Sequence, residues 1–434
     1  MQNDCFPATP PEWEKGPISM IADINPRYPI KKGQECPFIE MAAVAEHFGG
    51  IQRMDWRKLE GSGLARFKVG DTLFAKITPC PENGKVAFVH ELPASYGIGS
   101  TEFIVLSPKA NCDPRYLYHL VCAHAVRGRA ASRMEGSTGR QRVPDDVFEK
   151  RLLVPIPHPK EQSGIAEVLD AVDDTIAKSM RGMVEARSLL RALQQRFFFD
   201  ALGETAYADR PTKQLPCGWQ LLPTASLLSA EPKNGVSPRA FTQPPGTPTF
   251  SIAAIREGRI DLEKTENLKY AHIPDKAADA YRVQRGDVLI VRGNANPDLV
   301  GKAGMIDSFP SGCIYPDITK RVTFKSGGAG TVSPEFAVIA WNHSVVHNQV
   351  LRRAKTSNGT LKINNRDVKE IVMPVPPPDE QAAIVDLVKA AEDRIDTFVR
   401  IIAAQGEIKR ALLHDLLTGT VRVKANNSQV AEAV

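Results

Sequence analysis

The sequence lacks the features that mark membrane, secreted and zinc-bound proteins. No apolar run approaches the about 18 to 20 residues that a membrane span needs. The opening MQNDCFPATPPEW has neither a basic leader nor an apolar stretch. Seven cysteines are scattered without a CxxC pair, which argues against a disulfide framework or a zinc site. We therefore expect a cytoplasmic protein with reduced thiols and no membrane contact.

Catalytic signatures are also missing. The segment GNANPDLVGKAG, residues 293–304, has the wrong spacing for a phosphate-binding P-loop and has Ala303 where Ser or Thr should follow the lysine. HExxH, GxSxG and Asn-Pro-Pro-aromatic motifs do not occur. We expect neither a catalytic residue nor a metal site in this chain. A dispersed nuclease site of the Asp, Glu-x-Lys type is the alternative that the sequence leaves open.

The composition is that of a globular protein with more than one domain. The chain has 434 residues, of which 42% are hydrophobic and 24% charged, enough for two or three cores. The net charge of +5 is only a weak indication of a polyanionic partner. The distribution of the charge carries more information than its sum.

An internal repeat organises the chain. Residues 152–178, LLVPIPHPKEQSGIAEVLDAVDDTIAK, match residues 371–397, IVMPVPPPDEQAAIVDLVKAAEDRIDT, without a gap at an offset of 219 residues. Weaker echoes precede both copies, since FKVGDTLF at 67–74 resembles VQRGDVLI at 283–290. Each half is therefore a globular unit followed by a long helix. The residues that recur at this offset include Pro155, Pro157, Pro159, Glu161, Gln162, Ile165 and Ile176, matched by Pro374, Pro376, Pro378, Glu380, Gln381, Ile384 and Ile395.

The helices follow from the spacing of apolar residues. Alternate prolines hold the chain extended, so a helix begins only where they end. Beyond them, apolar residues alternate at spacings of four and three, which is typical of a coiled-coil seam. The first seam comprises Ile165, Leu169, Val172, Ile176, Ser179, Met183, Ala186, Leu190, Leu193 and Phe197. The second comprises Ile384, Val388, Ala391, Ile395, Phe398 and Ile402, then drifts in phase to Ile408, Leu412 and Leu416 and closes at Gly419.

Each seam needs a partner, and the simplest partner is the other seam. Helices of about 40 residues would be roughly 60 Å long and could not bury their stripes alone. Antiparallel pairing would put the two globular units at opposite ends of the rod and give pseudo-twofold symmetry. The alternative is that each helix packs on its own domain.

The globular units have the pattern of α+β domains. The segments DTLFAKI, KVAFVHEL, TEFIVLS, DVLIVRG and KRVTFK predict strands, mixed with short helices near 114–126 and 335–350. This mixture is too irregular for a parallel βαβ layout. The predicted divisions are a first domain at 1–154, a central helix at 155–202, a linker at 203–216, a second domain at 217–373, a C-terminal helix at 374–419 and a tail at 420–434.

Basic polar loops at matched places predict a DNA-binding surface. Residues 127–142 contain five arginines and one acid, and residues 352–369 contain six Lys or Arg and one acid. Arg recognises guanine edges and Asn or Gln recognises adenine, while cations contact phosphates. The alternative for these loops is a solvated charged face, and for the Gly-Asp turns ordinary turn chemistry. The candidates are Lys76, Thr78, Asn83, Lys85, Arg133, Arg140, Gln141 and Arg142 in the first half, and Arg292, Asn294, Asn296, Lys302, Arg353, Lys355, Lys362, Asn364 and Arg366 in the second.

The duplicated PxPPxxEQxxI segment, each copy behind a divergent globular half and before a heptad helix, resembles the specificity subunit of type I restriction-modification systems. The resemblance covers the chain from Trp13 to about residue 423, and NPRYPIKKGQECPFIEMAAV at 25–44 is similar to the start of a target-recognition domain of that family. It implies two target-recognition domains that each read one half of a split site in double-stranded DNA, with the paired helices as a ruler.

The same resemblance implies partner subunits. Methyltransferase subunits would use S-adenosylmethionine to methylate adenine N6, and a motor-nuclease subunit with ATP and Mg²⁺ would cleave. This chain itself would hold no cofactor. Glu161, Gln162, Glu380 and Gln381 are then candidates for docking these partners, with helix capping as the alternative. Two other classes stay open: an architectural protein that bridges DNA without sequence preference, and a nuclease or methyltransferase that acts alone.

Overall fold

A computed structural model describes residues 4–423 except 7, 62, 138–139, 203–213, 257, 263–264, 329 and 358. Most of the predicted linker and tail therefore lie outside the described residues. The chain forms two compact units: unit 1 comprises Met1–Gly182 and Phe398–Val434, and unit 2 comprises Met183–Thr397. Each unit thus contains one globular part and a stretch of both long helices.

Unit 1 is built on two four-stranded sheets with strand orders β2-β9-β6-β7 and β4-β3-β8-β5. All pairings in them are antiparallel except that of β3 with β8. The central strand β6 is buried on both faces, as its unbroken apolar run predicts. The strands are β1 (Glu14–Pro17), β2 (Ala22–Ile24), β3 (Glu35–Ile39), β4 (Asp55–Lys58), β5 (Ala65–Phe67), β6 (Thr72–Ala75), β7 (Val86–Phe88), β8 (Gly97–Gly99), β9 (Phe103–Pro108) and β10 (Leu153–Ile156), and the helices are α1 (Pro114–Cys122), α2 (His124–Ala131) and α3 (Pro159–Leu202).

Unit 2 has one six-stranded sheet of order β12-β21-β18-β20-β16-β15 and two small ones, β13-β17-β14 and β19-β23-β22. The strands are β11 (Gln220–Pro223), β12 (Lys233–Asn234), β13 (Ala240–Phe241), β14 (Thr247–Phe250), β15 (Ile255–Arg256), β16 (Arg259–Ile260), β17 (Leu268–Ala271), β18 (Val288–Val291), β19 (Gly293–Asn294), β20 (Ala303–Ile306), β21 (Thr319–Val322), β22 (Lys355–Ser357), β23 (Thr360–Lys362) and β24 (Val372–Val375). The helices are α4 (Thr224–Leu227), α5 (Asp275–Ala278), α6 (Pro334–Asn342), α7 (Ser344–Arg353), α8 (Asn365–Glu370) and α9 (Pro378–Thr418).

The α+β prediction is confirmed. Every predicted strand segment contains a strand, namely β6, β7, β9, β18 and β21, and the predicted short helices are α1 with α2 and α6 with α7. Both long helices begin at the last proline of their proline runs, Pro159 and Pro378. A proline is tolerated there because the first helical N–H has no partner within the helix.

Within each unit the two long helices pack antiparallel. In unit 1, Ile165 and Leu169 share a core with Leu416, near the other end of the chain. Further along α3, Asp173 pairs with Lys409 at 2.5 Å. In unit 2, Phe198 near the end of α3 shares a core with Ile384 near the start of α9. Residue numbers rise along one helix as they fall along the other, so the antiparallel prediction is confirmed.

The first seam is confirmed, and the phase drift predicted for the second is wrong. Every predicted seam position of α3 is buried or half-buried. In α9, however, Ile408 is 55% exposed, whereas Lys409 is 8% exposed and Gln405 is half-buried. The spacing of four and three therefore continues through the two polar residues. Lys409 remains in the seam because its ammonium pairs with Asp173 and lies 5.5 Å from the ring of Phe48.

No helix in the described part of the chain is both long and apolar enough to cross a membrane.

Candidate nucleic-acid interface

In unit 1 the two predicted loop regions lie side by side. Lys76 directly follows β6, and its carbonyl accepts a hydrogen bond from Val143 N at 2.9 Å. Thr78 N donates to the carbonyl of Gln141 at 3.0 Å. The turn after β6 and the end of the arginine-rich loop are thereby joined through the backbone. The structure thus brings together candidates that lie more than sixty positions apart in the sequence.

The charges on this surface differ in their availability. Arg142 is held by Glu102 through a bidentate contact, with Nε at 2.8 Å and Nη2 at 2.7 Å, and this pair lowers the pKa of Glu102. Lys76 lies 3.6 Å from Asp145. Arg140 and Gln141 are exposed. Arg140 and Gln141 are therefore the best placed of these four residues to meet a ligand.

Three of the remaining unit 1 candidates use their side chains within the fold. Asn83 donates to Glu46 Oε1 at 3.1 Å, and Lys85 Nζ donates to the carbonyl of Met41 at 3.2 Å. Thr78 Oγ1 donates to Glu82 at 2.9 Å. These contacts shape the turn after β6, which agrees with the turn-chemistry alternative.

Arg133 belongs to the end of the short helices and not to the exposed loop tip. It lies just after α2, where its guanidinium donates to the carbonyl of Arg129 at 3.1 Å.

Unit 2 repeats this arrangement with different residues. Arg292 directly follows β18, and its carbonyl accepts from Ile363 N at 2.9 Å, as Lys76 accepts from Val143. Gly293 and Asn294 form β19, which pairs with β23 so that Gly293 lies opposite Lys362. Lys355 lies across from Lys362 in the hairpin of β22 and β23. Lys355 and Lys362 therefore lie on one face of this small sheet, and Arg292 comes one position before Gly293. Among the described residues, the only ion pair that these three cations form is that of Arg292 with Asp317, at 3.5 Å.

The asparagines of unit 2 have structural roles. Asn294 Oδ1 accepts from Asn296 N at 2.8 Å, and Asn296 Oδ1 accepts from Asp298 N at 3.0 Å, so both form short local turns. Asn364 caps α8 with a reciprocal capping box that includes Asp367. Their amide groups are thus partly used by the backbone.

The last three basic candidates of unit 2 are close to other charges or half-buried. Arg366 pairs with Glu370 at 2.7 Å, and this contact raises the pKa of Arg366. Arg353 lies 3.9 Å from the same carboxylate. Lys302 is half-buried.

The four docking candidates start the long helices in two matched environments. Gln162 is fully buried: its Oε1 accepts from Asp113 N at 2.9 Å, and its Nε2 donates to the carbonyls of Pro157 at 2.8 Å and Asn111 at 3.2 Å. Gln381 is 3% exposed and makes the same three bonds to Ser333, Pro376 and Thr331, each at 2.9 Å. Neither glutamine side chain is available to a partner in this conformation.

The glutamates bind tryptophans that the sequence analysis did not single out. Trp13 Nε1 donates to Glu161 Oε2 at 2.9 Å, and Trp219 Nε1 donates to Glu380 Oε2 at 3.0 Å. Each tryptophan leads into a strand, β1 or β11, that pairs with the strand before the long helix, β10 or β24. The signal for this pair was a tryptophan four positions before a proline in both halves, at Pro17 and Pro223. These contacts join each globular part to the first turn of the long helix that follows it, here called the helix entrance.

The described residues contain no group of three or more His, Cys, Asp or Glu side chains that could hold a metal ion. His119 is fully buried, and its Nε2 lies 2.6 Å from Asp170, so its ring is used in a hydrogen bond within the fold. Burial lowers the pKa of His119, although the hydrogen bond that its ring donates to Asp170 opposes the shift.

The chain thus contains two α+β units, each joined to a long seam-bearing helix and each carrying cations on the loops that follow a central strand. A family model for the type I restriction modification DNA specificity domain matches residues 10–182. The specificity subunit of the type I restriction enzyme EcoAI of Escherichia coli is 34% identical over 192 residues, 42% of this chain and 32% of that protein. The EcoKI specificity subunit of Escherichia coli strain K12 is 24% identical over 295 residues, 68% of this chain and 61% of that protein. Less than two thirds of either relative is covered by the match.

Solved structures show the same fold over nearly the whole chain. A chain from a study of complex assembly and conformational transition of the type I R-M system has a TM-score of 0.58 at 18% identity, over 95% of this chain and 99% of that one. The type I S subunit from M. genitalium has a TM-score of 0.55 at 14% identity, over 94% of this chain and 96% of that one. Residues 10–182 are therefore similar to the type I restriction modification DNA specificity domain, and the chain as a whole shares the fold of these solved structures.

Proposed function

We propose that this chain reads a two-part sequence in double-stranded DNA on behalf of catalytic partner subunits. The observation that carries the proposal is the matched placement of Lys76 against Val143 in unit 1 and of Arg292 against Ile363 in unit 2. One fold thus presents two different sets of polar and cationic side chains. Such a pair suits the reading of two unlike half-sites, since cations contact phosphates while Arg, Asn and Gln read base edges.

Each unit would read one half-site, and the paired helices would set the gap between them. Well-read base pairs contribute about 1 to 3 kcal/mol each. Coupling two modest affinities through a stiff spacer selects strongly for sites of the right separation. The helices have 44 and 41 residues, and at about 1.5 Å per residue they are roughly 60 Å long. The bases of the gap would then tolerate any sequence.

The chemistry would belong to the partners. In this proposal methyltransferase subunits bring S-adenosylmethionine and methylate adenine N6, and a motor-nuclease subunit brings ATP and Mg²⁺ for cleavage. The buried Gln162 and Gln381 would position the helix entrances. Contacts with partners would fall to exposed neighbours such as Lys160 and Asp379.

Selection of bound duplexes from a random pool tests the proposal. The wild-type chain should enrich two short motifs separated by a fixed number of unconstrained positions. Lys76→Gln should weaken selection in one motif only, and Arg292→Gln in the other only. Enrichment of no sequence would favour an architectural DNA-bridging protein, and a single continuous motif would contradict reading by two units.

A turnover assay separates this proposal from a stand-alone enzyme. The purified chain, incubated with duplex DNA, Mg²⁺ and S-adenosylmethionine, should neither cleave nor methylate. Methyl transfer or cleavage without a second polypeptide would overturn the assignment of the chemistry to partners.

A further inference from the structure

The outer strand of the sheet β4-β3-β8-β5 in unit 1 carries an exposed tryptophan outside the basic loops. Trp56 on β4 is 55% exposed. The strand β4 pairs only with β3 and is the edge of its sheet. All four of its residues are exposed. Lysine on an edge strand commonly protects against aggregation, but an exposed indole has the opposite effect and requires another explanation.

Cations without a carboxylate partner follow this indole along the chain and occur in the loop joined to the end of β4, and one of them, Arg57, lies 3.9 Å from the centroid of the Phe38 ring. Among the described residues, no ion pair involves Lys31, Lys32, Arg57 or Lys58, although Lys58 lies across from Glu35 in register. The loop that holds Lys31 and Lys32 is joined to the end of β4, because Gly33 N donates to the carbonyl of Leu59 at 2.8 Å. By contrast, Arg53, two residues before β4, forms ion pairs with Glu40 and Asp55. The free positive charge is therefore concentrated at the end of β4 beyond Trp56.

This surface is continuous with the candidate interface of unit 1. Trp56 lies opposite Pro37 on β3. Two residues further, the carbonyl of Ile39 accepts from Ser100 N at 3.1 Å, and the carbonyl of Met41 accepts from Lys85. At about 3.3 Å per residue, the four residues from Pro37 to Met41 span at most about 13 Å, so Trp56 lies within roughly 15 Å of the segment that contacts the turn after β6.

Unit 2 has an aromatic residue at the same topological place. Strand β14 leads into a short helical turn at Ile252–Ala254, just as β3 leads into Met41–Ala43. On the paired strand β17, Tyr270 lies opposite Pro248, as Trp56 lies opposite Pro37. Here one more strand is added outside, and its Phe241 lies opposite Tyr270 and is 41% exposed. The outer edge of this small sheet therefore carries an exposed aromatic ring in both units.

The outer aromatic of unit 2 also has a cation beside it. The guanidinium of Arg239 lies 5.7 Å from the centroid of the Phe241 ring. Lys269 on the neighbouring strand is exposed. The same combination, a flat apolar ring flanked by cations, thus arises from different residues in the two units.

We propose that these outer edges, Trp56 with Lys31, Lys32 and Lys58 in unit 1 and Phe241 with Arg239 and Lys269 in unit 2, contact the sugar-phosphate backbone of duplex DNA. The inference rests on the proposed function, to which it adds a second contact surface in each unit. Deoxyribose rings are apolar and phosphates are anionic, so one backbone strand can meet a ring and its flanking cations together. Such contacts position a duplex without reading its sequence.

The test uses the full-length chain and two duplexes of equal length, one enriched from a random pool by the wild type and one unselected. Trp56→Ala should weaken binding to both duplexes by about 5- to 10-fold, as expected for truncation of an aromatic contact. Trp56→Phe should keep most of the affinity. Val69→Ala, at another exposed apolar residue of unit 1, is the matched control and should bind as the wild type does.

The cations are tested through the salt dependence of binding. The triple variant Lys31→Gln, Lys32→Gln, Lys58→Gln should reduce the slope of log affinity against log salt by about 2.7, since each lost phosphate contact contributes about 0.9. Lys178→Gln, at an exposed lysine of α3, should leave the slope unchanged. A change confined to the selected duplex would overturn the assignment to the backbone.

The outcomes separate this inference from the proposed function. If Trp56→Ala and the triple variant bind both duplexes as the wild type does, the inference is wrong, even where the wild type prefers the selected duplex. The same conclusion follows if these variants instead lose a co-purifying protein, because the surface would then be a protein contact. If the wild type shows no sequence preference, the proposed function fails. The change in salt slope of the triple variant still shows whether these lysines contact phosphates.

Discussion

The two helix entrances of this molecule are alike in their side-chain contacts, whereas the two basic loop surfaces differ in theirs. At the entrances, Gln162 and Gln381 make the same three buried hydrogen bonds, to a helix-capping residue, a proline carbonyl and a loop carbonyl. At the surfaces, the backbone pairing recurs while the side chains differ: Lys76 corresponds to Arg292, and an open edge strand corresponds to one covered by β13. Duplication has kept the polar contacts that fix the frame and left the exposed side chains free to diverge.

The seams show that the frame itself tolerates some divergence. Position for position, Ala186 and Leu190 of α3 correspond to Gln405 and Lys409 of α9. Lys409 is buried and has a partner, whereas Gln405 is half-buried and its Oε1 atom has no partner among the described residues. A polar seam residue costs stability but can fix the register of a helix pair. The two halves are therefore alike at their entrances and unlike in the middle of their helices.

The largest effect should come from breaking the shared entrance contact. Gln162→Leu or Gln381→Leu would leave one backbone N–H and two carbonyls without a partner, the proline carbonyl in a buried bond and the other two groups in part-buried bonds, at about 1 kcal/mol each. We expect each variant to lose roughly 3 kcal/mol of unfolding free energy and both to lose about the same, measured by urea denaturation. Gln405→Leu is the control, because it removes an unpaired amide oxygen and should be neutral or stabilising. Unequal losses of unfolding free energy would show that the Gln162 and Gln381 contacts are not equivalent.

The next effect concerns the ion pair between Asp173 of α3 and the buried Lys409 of α9. Asp173→Ala would leave the ammonium of Lys409 buried without a carboxylate, and we expect a loss of about 2 kcal/mol, less than for a fully buried pair because the Asp173 side chain is 29% exposed. Adding Lys409→Leu should restore most of the stability, since the seam would then match its α3 counterpart Leu190. A double variant as unstable as Asp173→Ala alone would show that the pair is not the cause.

A smaller effect should distinguish the units by their response to acid. Burial lowers the pKa of His343 and His347 in unit 2 to about 4. Between pH 6.5 and 4 the unfolded chain binds protons that the folded unit does not, so stability decreases as the pH falls through this range. We expect roughly 1 to 2 kcal/mol per histidine after allowance for partial solvent access.

Hydrogen exchange at pH 7.5 and pH 5, resolved to each unit, measures this response. Protection in unit 2 should fall between the two conditions, and His347→Gln should reduce that fall. His414→Gln, at an exposed position of α9, serves as the control and should leave it unchanged. A pH response unaffected by His347→Gln would exclude this histidine as its source.

The smallest effects should come from the exposed loop residues. Arg140→Gln and Lys362→Gln remove cations that have no carboxylate partner among the described residues, and we expect each to weaken binding to an unselected duplex by about 3-fold, near 0.6 kcal/mol. Arg366→Gln removes a cation already paired with Glu370 and should change affinity less. Fluorescence anisotropy at fixed salt gives the comparison, and a larger loss from Arg366→Gln would reverse the order proposed for these loops.

The local pattern of the sequence was sufficient for the repeat, for the start of each long helix and for the first seam. Prolines restrict the backbone wherever they occur, and a spacing of four and three places residues on one side of any helix. The same reasoning failed at Ile408, where a local preference for an apolar residue suggested a drift in phase. In the structure Lys409 takes the seam position because Asp173, 236 residues earlier, supplies the opposite charge.

The sequence by itself determined that this protein has two related halves, two seam-bearing helices and basic loops at matched places, because repeats, proline restraints and helical periodicity are local properties of the chain. Only the tertiary structure decided which polar residues are buried and which cations are free. From the sequence, Gln162 was a candidate for docking a partner subunit and Arg142 a candidate for binding DNA. In the structure each is bound within the fold, to Asp113 and Glu102, which lie 49 and 40 residues away in the sequence. The exposure of Trp56 was decided in the same way, since it depends on β4 being the last strand of its sheet. Burial and pairing depend on neighbours that the chain brings together only when it folds.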